Sequence, residues 1–423
     1  MRAKTAGLVF CALTILTGGI VPASGADRTP PVQYWMDVST VNQVIPGMED
    51  MGAFGGMMGM PRSGPVKNLF LRLISPQSLP SSPEASHDIP PGQRMGDSLP
   101  LIIPPKAQAE RYEGQEEQPR YEKPKMRMLI YWGCGEEVPK GQPLVIDTER
   151  MNMADFGKAM AGRSGSQHPP MPRSGRIYSQ WPNERSSKQV LPESSLKGGQ
   201  LVHGNYTPDI RFSIDEGHDF MSPVSFSSVR GGLRDSIGFQ WKAIPTATGY
   251  FASAMSSNRE TEELILWSSS EVKETGWGLM DFLSPGDVRR LIQDRVVMPS
   301  DRTSCSVPKG IFRDTEGAML QFIAYGDELN VVHPPRPKDP KEQENWRPIW
   351  EVKERRKSTA MLPLGMEGMD GSDRRGRRGR AIQQPETPQE PERPQEAEAP
   401  DTPDNGGGEE NGMTRGLKRF FGF

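Results

Sequence analysis

Two cysteines are the side chains best suited to covalent chemistry. Cys134 lies between glycines in YWGCGE, and glycines beside a reactive residue allow a substrate to approach closely. With His203 or His218 as its base, Cys134 would be the thiolate nucleophile of a hydrolase. The alternative is a structural disulfide between Cys134 and Cys305, since thiols outside the cytoplasm tend to pair. The disulfide is the favoured interpretation.

A methionine-rich loop is the strongest candidate for a metal site. Thioether sulfur is a soft ligand that suits Cu(I), although Met-Gly runs also form adaptable contact surfaces. The chain holds 23 methionines in all, which weakens the signal of any one cluster. The candidate copper ligands are Met48, Met51, Met57, Met58 and Met60.

A second, weaker metal candidate lies in an acidic stretch. His218 and Asp219 follow Asp215 and Glu216, and these residue types can ligate a metal ion. The same composition is typical of a solvated turn between strands. The sequence also lacks G-x-S-x-G, H-E-x-x-H, C-x-x-C and a phosphate-binding glycine loop. It therefore predicts a protein that is not an enzyme and that has no required cofactor.

The N-terminus has the pattern of a secretory signal peptide. Arg2 and Lys4 precede an apolar stretch from Gly7 to Val21, and small residues follow at 23–26. A membrane anchor would need about 20 apolar residues, and this stretch is shorter. We therefore expect export, with cleavage after Ala26, to the periplasm or cell surface of a Gram-negative bacterium.

Composition and charge limit the partners. The 51 Lys and Arg residues nearly balance 54 Asp and Glu residues, so no nucleic-acid partner is expected. The C-terminal region combines a basic block, an acidic proline-rich stretch and a final aromatic group, a composition typical of disorder. Its basic and aromatic residues would contact an envelope protein, an anionic polymer or a membrane surface, or else form a solvated tail. They are Arg374, Arg375, Arg377, Arg378, Arg380, Phe420, Phe421 and Phe423.

Apolar residues that alternate with polar ones predict strands along much of the chain. These strands would position the candidate catalytic and metal-binding side chains. One helix is predicted after Ser284, with Pro285 at its first turn and Val288, Leu291 and Ile292 as its apolar stripe. Residues 318–332 are expected to form a hairpin around Gly-Asp, and 350–353 and 359–364 to form edge strands. Residues 76–93 and 162–188 are interpreted as loops. The other predicted strands are 32–40, 67–74, 99–103, 126–132, 144–147, 207–214, 226–229, 236–241, 249–255 and 263–267.

One local pattern resembles a known module. Phe239-Gln240-Trp241 followed by Pro245–Phe251 resembles the B and C strands of fibronectin type III-like modules, which implies that Trp241 and Tyr250 stack in the core of a sandwich. Residues 275–310, with the predicted helix, are an insertion that this family does not usually carry. The whole chain also resembles uncharacterised exported proteins of Gram-negative bacteria, which implies no activity.

These observations predict a mainly β protein with two β-sandwich-like units, one short helix and a disordered tail. The expected divisions are a signal peptide at 1–26, a β-rich domain with long loops at 27–215, a fibronectin type III/immunoglobulin-like sandwich at 216–364 and a tail at 365–423. The leading hypothesis for function is an exported, non-enzymatic binding or structural protein. The alternatives are copper handling through the methionine-rich loop and a hydrolase that uses Cys134.

Overall fold

Alternating burial along the strands builds most of the fold. The computed structural model describes residues 29–43, 64–105, 126–258 and 260–365. In the strand Thr207–Ile214, the buried Ile210, Phe212 and Ile214 alternate with exposed residues. A side chain on every second position faces the same side of a sheet, so such strands bury one face. The prediction of a mainly β protein is confirmed.

The strands and helices are numbered along the chain. The first nine strands are β1 Val32–Gln43, β2 Val66–Ser75, β3 Ala85–Asp88, β4 Ser98–Pro100, β5 Arg127–Trp132, β6 Leu144–Asp147, β7 Ile177–Trp181, β8 Gly198–Gly204 and β9 Thr207–Ile214. The remaining strands are β10 Phe226–Arg230, β11 Ile237–Trp241, β12 Ala247–Asn258, β13 Glu263–Ser268, β14 Met298–Pro299, β15 Ser304–Val307, β16 Ala318–His333 and β17 Trp350–Leu364. The helices are α1 Met153–Met160, α2 Pro285–Gln293 and α3 Pro340–Asn345.

Strands from the beginning to the end of the described region belong to one large sheet. It has ten strands in the order β6-β5-β13-β12-β16-β17-β1-β2-β7, with β14 paired to β12. Strands from both sides of position 215 therefore share this sheet. Two parallel pairings link the two parts. One joins β1 to β17, with Val32 aligned to Trp350 and Gln43 to Met361, and the other joins β5 to β13.

Two small sheets cover one face of the large sheet, which we call the front face. The three-stranded sheet β10-β11-β15 and the four-stranded sheet β4-β3-β8-β9 each enclose a hydrophobic core against it. Both cores use even-numbered residues of β17, with Val352 in one and Leu362 in the other, so both lie on the same face. Two sandwich-like units are thus built on one continuous sheet.

Helices cover part of the opposite, back face. Helix α2 begins after Ser284, whose side chain accepts a hydrogen bond from the N–H of Asp287, and it packs Val288 and Leu291 on the sheet. Helix α1 begins after Asn152 and packs Phe156 against a separate apolar group. The predicted helix is confirmed, but the described residues contain three helices instead of one.

The last two strands differ from their predicted form. Residues 318–333 are a single strand instead of a hairpin, because a bulge between Tyr325 and Glu328 absorbs the Gly326-Asp327 pair. Residues 350–364 are also a single strand, and it lies between β1 and β16 instead of at an edge. The hairpin was predicted because Gly-Asp is typical of a turn, and the edge strands were predicted because a charged run was interpreted as the end of a strand.

Two segments interpreted as loops contain strands. Residues 76–93 include β3, which lies between β4 and β8, and residues 162–188 include β7 at one end of the large sheet. Both strands are short, so their alternation is hard to recognise in the sequence. None of the helices in the described ranges is long and apolar enough to span a membrane.

Candidate functional site

The most unusual site in the described region is a run of five charged residues inside a central strand. Lys353, Glu354, Arg355, Arg356 and Lys357 lie in the middle of β17. Glu354, Arg355 and Arg356 are only 0%, 3% and 4% exposed. Since alternate side chains point to opposite faces, the three odd-numbered cations lie on the back face, and Glu354 and Arg356 lie on the front. We call these five residues the charged run.

The back face carries a ladder of cations and aromatic rings. The Nζ of Lys353 and the guanidinium of Arg355 lie 5.6 and 5.1 Å from the Trp35 ring centroid. The guanidinium of Arg355 and the Nζ of Lys357 lie 4.6 and 4.4 Å from the Phe282 ring centroid. Each ring thus contacts two cations, an arrangement that gives a favourable cation–π attraction. We call these five residues the cation–aromatic ladder.

A buried carboxylate neutralises the centre of this ladder. Oδ1 of Asp37 accepts a hydrogen bond from Nε of Arg355 at 2.7 Å, and its Oδ2 accepts one from Nη1 of Arg72. Asp37 is 4% exposed. Strands β17, β1 and β2 each supply one member of this group, and they are neighbours in the sheet. A buried charge needs such partners, because an unpaired charge in the interior is very costly.

The outer cations of the ladder also have carboxylate partners. The Nζ of Lys353 lies 2.9 Å from Oε2 of Glu328 on β16. The Nζ of Lys357 lies 3.2 Å from Oδ1 of Asp281, in the segment before α2. All three cations that β17 places on the back face are therefore paired within the chain. This pairing makes the ladder a structural connection and leaves no cation of the ladder available for an anionic ligand.

On the front face, a carboxyl group lies buried where the two sandwich-like units meet. Neither oxygen of Glu354 has a hydrogen-bond partner among the described residues, and its Oε1 lies 3.7 Å from Nε of Arg356. Burial raises the pKa of Glu354 to about 8, although Arg356 acts in the opposite direction. The carboxyl group therefore keeps its proton at neutral pH. Arg356 donates hydrogen bonds to the backbone oxygens of Gly217, Asp219 and Asp327.

Buried and perturbed charges are typical of functional sites, but they also occur in structural networks. Here the charged run contacts β1, β16, the segment before α2 and the segment after β9. No atom of this group has the arrangement of a nucleophile with a base. The charged run therefore holds these four segments in one relative position.

Residues 334–349 join β16 to β17, and we call this segment the arm. Nε1 of Trp346 donates a hydrogen bond to the Pro334 oxygen at 3.0 Å, and the Arg336 guanidinium lies 5.9 Å from the centroid of the Trp346 ring. Nε2 of Gln343 donates to the Pro337 oxygen at 2.9 Å. These contacts hold the arm in a defined shape without a hydrophobic core.

The outer surface of the arm is charged and exposed. Lys338, Lys341, Glu342 and Glu344 are exposed, and none of them forms an ion pair within the described residues. Ile349, at the base of the arm, is 53% exposed. The arm therefore combines a fixed backbone with free charged side chains, which suits a contact surface.

The predicted disulfide is present. Cys134 and Cys305 are bonded, with their Cα atoms 5.0 Å apart and a separation of 171 positions in the sequence. Cys134 follows β5 in the large sheet and Cys305 lies in β15, so the bond joins the two layers of one sandwich-like unit. A sulfur in a disulfide is not a thiolate, so Cys134 is not a nucleophile in this state.

The histidines considered as bases lie in other contacts. Nε2 of His203 is 3.2 Å from Asp88 in the four-stranded sheet, and Nδ1 of His218 is 2.7 Å from Asp215. The carboxylate of Asp219 instead accepts hydrogen bonds from the Ser195 hydroxyl and the Leu196 N–H. Within the described ranges, no group of three or more His, Cys, Asp or Glu side chains could hold a metal ion.

Trp241 and Tyr250 lie together in the core between the large and three-stranded sheets. They are 2% and 0% exposed, and their rings meet edge to face with centroids 5.5 Å apart. The Phe322 ring packs 4.7 Å from Trp241 and 5.7 Å from Tyr250. Nε1 of Trp241 has no hydrogen-bond partner among the described residues.

Several predicted residues lie outside the described residues. They comprise the signal peptide at 1–26, the copper candidates Met48, Met51, Met57, Met58 and Met60, and the tail residues Arg374, Arg375, Arg377, Arg378, Arg380, Phe420, Phe421 and Phe423. Copper binding and the proposed tail contacts stay predictions.

The charged run was missed because charged residues are usually solvated. One signal was available in the sequence, since no Gly or Pro separates Trp350 from Leu362. Two strand-like runs without a turn between them favour one continuous strand. The partners of the run come from distant positions, so the sequence could not identify them.

The described fold and site were set beside no known relative, because no family model, no curated protein and no solved structure matches the chain.

Proposed function

We propose that the chain is an exported, non-enzymatic binding or structural protein of the cell envelope, and that the arm is its contact surface. The observation that supports this proposal is the hairpin of β16 and β17. These strands take part in both hydrophobic cores and carry the arm between them. A rigid sheet that carries an exposed, ordered segment such as the arm suits binding, because little conformational entropy is lost when a partner binds.

The arrangement of the second unit fits the resemblance seen in the sequence. Strands β10, β11 and β15 face β13, β12, β16 and β17, and Trp241 packs across the two layers on Tyr250. This supports the proposal of a fibronectin type III-like module. Modules of this kind serve many functions, so the fold alone does not identify a partner.

The charged run supports a structural role for the sheet. Its cations are paired with groups from four other segments, which ties both units to one hairpin. The ring of Trp35 on β1 contributes to this attachment, because Lys353 and Arg355 of β17 both pack against it. We infer that the protein presents the arm at a fixed position relative to both units.

Site-specific cross-linking tests this proposal. A photoreactive residue replaces Lys338 on the arm, and a matched control replaces the exposed Glu184. After expression in the native host and cell fractionation, we expect the processed protein in the envelope fraction. We also expect one discrete adduct from position 338 and none of the same mass from position 184.

The partner found in this way is then purified and tested for direct binding. We expect Trp346→Ala to weaken that binding, because Trp346 holds the arm in shape. Equal adducts from both positions, or binding that does not depend on Trp346, would contradict the role of the arm. Unprocessed protein in the cytoplasm would contradict export.

A further inference from the structure

The four-stranded sheet is closed at one end and open at the other. At the closed end, Ile102, which follows β4, exchanges two backbone hydrogen bonds with Gln180 of β7. At the open end lies β9, which pairs only with β8 in the described region. A free edge of this kind presents unpaired N–H and C=O groups that can pair with another strand.

The other sheet ends in the described ranges are short, irregular or covered. Strands β6 and β4 have four and three residues. Strand β10 has a register shift between Phe226 and Ser228, and the N–H of Gly135 donates to the Ser306 oxygen on β15. Strand β9 has eight residues and is the longest strand at the end of a described sheet. It is therefore the strand edge best suited to pairing with another chain.

The backbone groups at this edge follow from the pairing on the other side of β9. Strand β8 pairs regularly with β3, and the N–H of Asn205 donates to β3. Because successive residues direct their backbone groups to opposite sides, Val202 directs its groups to β9, where Ile210 is its partner. The N–H and C=O of Ile210 therefore point to β8. In a planar peptide the N–H and C=O are opposed, so the C=O of Asp209 and the N–H of Arg211 point to the free edge.

The two residues that flank Ile210 carry opposite charges. The side chains of Asp209 and Arg211 are 57% and 69% exposed, and they form an ion pair at 2.8 Å. Two copies of β9 that run antiparallel about Ile210 would place Asp209 of each copy opposite Arg211 of the other. In the same alignment, the N–H of each Arg211 faces the C=O of Asp209 in the other copy. One alignment thus forms both the backbone hydrogen bonds and the charge pairs.

The neighbouring alignments of β9 with itself are unfavourable. An axis at Arg211 would place two guanidinium groups opposite each other, and an axis at Asp209 would do the same with two carboxylates. Like charges that lie directly opposite destabilise a strand pair, and charges on an edge also exclude most other strands. The charges of β9 therefore favour a second copy of β9 in one register.

We propose that the free edge of β9 is a dimer interface, in which the β9 strands of two copies pair antiparallel with Ile210 at the twofold axis. The same surface serves both copies, as in most symmetric dimers. The two four-stranded sheets become one continuous sheet across the axis. The interface uses β9 and not the arm, so each proposal can be tested without the other.

Analytical ultracentrifugation of the full chain tests the interface. We expect a monomer–dimer equilibrium for the wild type. Asp209→Arg alone and Arg211→Asp alone should each raise the dissociation constant of the dimer at least about tenfold, because each replaces two attractive cross-strand pairs by two repulsive ones. Glu184→Arg, at an exposed position after β7, changes the net charge as Asp209→Arg does and should leave the dimer unchanged.

A mixture of the two charge variants separates the interface from effects within one chain. Each Arg at 209 or 211 of the first variant would lie opposite an Asp of the second, so the mixture should form a heterodimer although neither variant dimerises alone. The double variant Asp209→Arg, Arg211→Asp should dimerise like the wild type. A wild type that stays monomeric, or a mixture that does not associate, would overturn the proposal.

Hydrogen exchange locates the interface independently of the charges. The amides of residues 207–214 should exchange more slowly at concentrations where the dimer forms, because the N–H of Arg211 gains a partner. A dimer that leaves exchange in β9 unchanged would use another surface and would contradict the proposal. Folding of each variant is checked by circular dichroism and thermal unfolding. If a charge reversal prevents folding, Arg211→Gln replaces it and should also weaken the dimer.

Discussion

Asp37 and Arg355 form a buried ion pair between residues 318 positions apart in the sequence. They are directly aligned where β1 and β17 run parallel, one strand beside the other. The first and last described strands are thereby joined at the centre of the sheet by a charge pair as well as by backbone hydrogen bonds. The predictions below test this ion pair, the buried carboxyl group of Glu354 and two contacts inside the second unit.

Removal of the Asp37 carboxylate should strongly destabilise the fold. Asp37→Ala leaves the guanidinium groups of Arg355 and Arg72 without their shared partner, and Arg355 is buried. We expect a loss of about 3–5 kcal/mol in the free energy of unfolding, measured by urea denaturation. Asp281→Ala is the matched control, because Asp281 is exposed and pairs with Lys357 near the surface. Asp281→Ala should lower the free energy of unfolding by less than about 1 kcal/mol. Equal losses in the two variants would contradict a larger contribution from the buried Asp37.

Stability should depend on pH through Glu354. Burial raises the pKa of this carboxyl group to about 8, whereas the unfolded chain has a value of about 4.3. The folded state therefore holds a proton that the unfolded state has released between these values. By linkage, stability falls as pH rises from about 4.3 to about 8 and changes little beyond.

Glu354→Gln should remove this pH dependence. The amide is neutral at every pH and similar in size, so the variant should be more stable than the wild type at pH 8 and similar at pH 4. Thermal unfolding from pH 4 to pH 9 measures the difference. Glu342→Gln, at an exposed position of α3, is the control and should follow the wild type. If the stability of the wild type and of Glu354→Gln changes with pH in the same way, the pKa of Glu354 is not raised in the folded state.

Loss of the disulfide should weaken the second unit. The Cys134–Cys305 bond closes a long loop, and cross-links of this kind contribute about 2–5 kcal/mol by restricting the unfolded chain. The double variant Cys134→Ser, Cys305→Ser should unfold at lower urea concentration, and reduced wild type should match it. An alkylating probe should label the native protein only after reduction. Labelling without a reductant would restore Cys134 as a candidate nucleophile.

The Trp241 ring should contribute by packing and not by a hydrogen bond. Its Nε1 has no partner among the described residues, while its ring contacts Tyr250 and Phe322. Trp241→Ala should cost about 3–5 kcal/mol because it leaves a cavity. Trp241→Phe keeps an aromatic ring and should cost clearly less, measured by the same urea titration. A large loss in the Phe variant would show that the indole N–H has a partner.

Much of the fold could be predicted from local patterns. Alternation in segments such as 144–147 and 207–214 predicted strands with the bounds that the structure has. The Ser284-Pro285 pair predicted the start of α2, because a side-chain cap and a proline at the first turn are local requirements. The disulfide was also expected, from the two cysteines that lie outside the predicted signal peptide.

The order of strands and the candidate sites could not be predicted in this way. A charged run such as 353–357 is buried only because β1, β16 and the segment before α2 bring carboxylates and aromatic rings to it from distant positions.

The sequence by itself therefore determined the class of structure, because period-two burial and helix caps depend on neighbouring residues. Only the tertiary structure decided that both sandwich-like units share one sheet. It also decided that the charges of β17 lie inside the sheet. The physical reason is that a buried charge such as Arg355 is stable only beside its partner Asp37, and pairing across such a distance is a property of the folded chain.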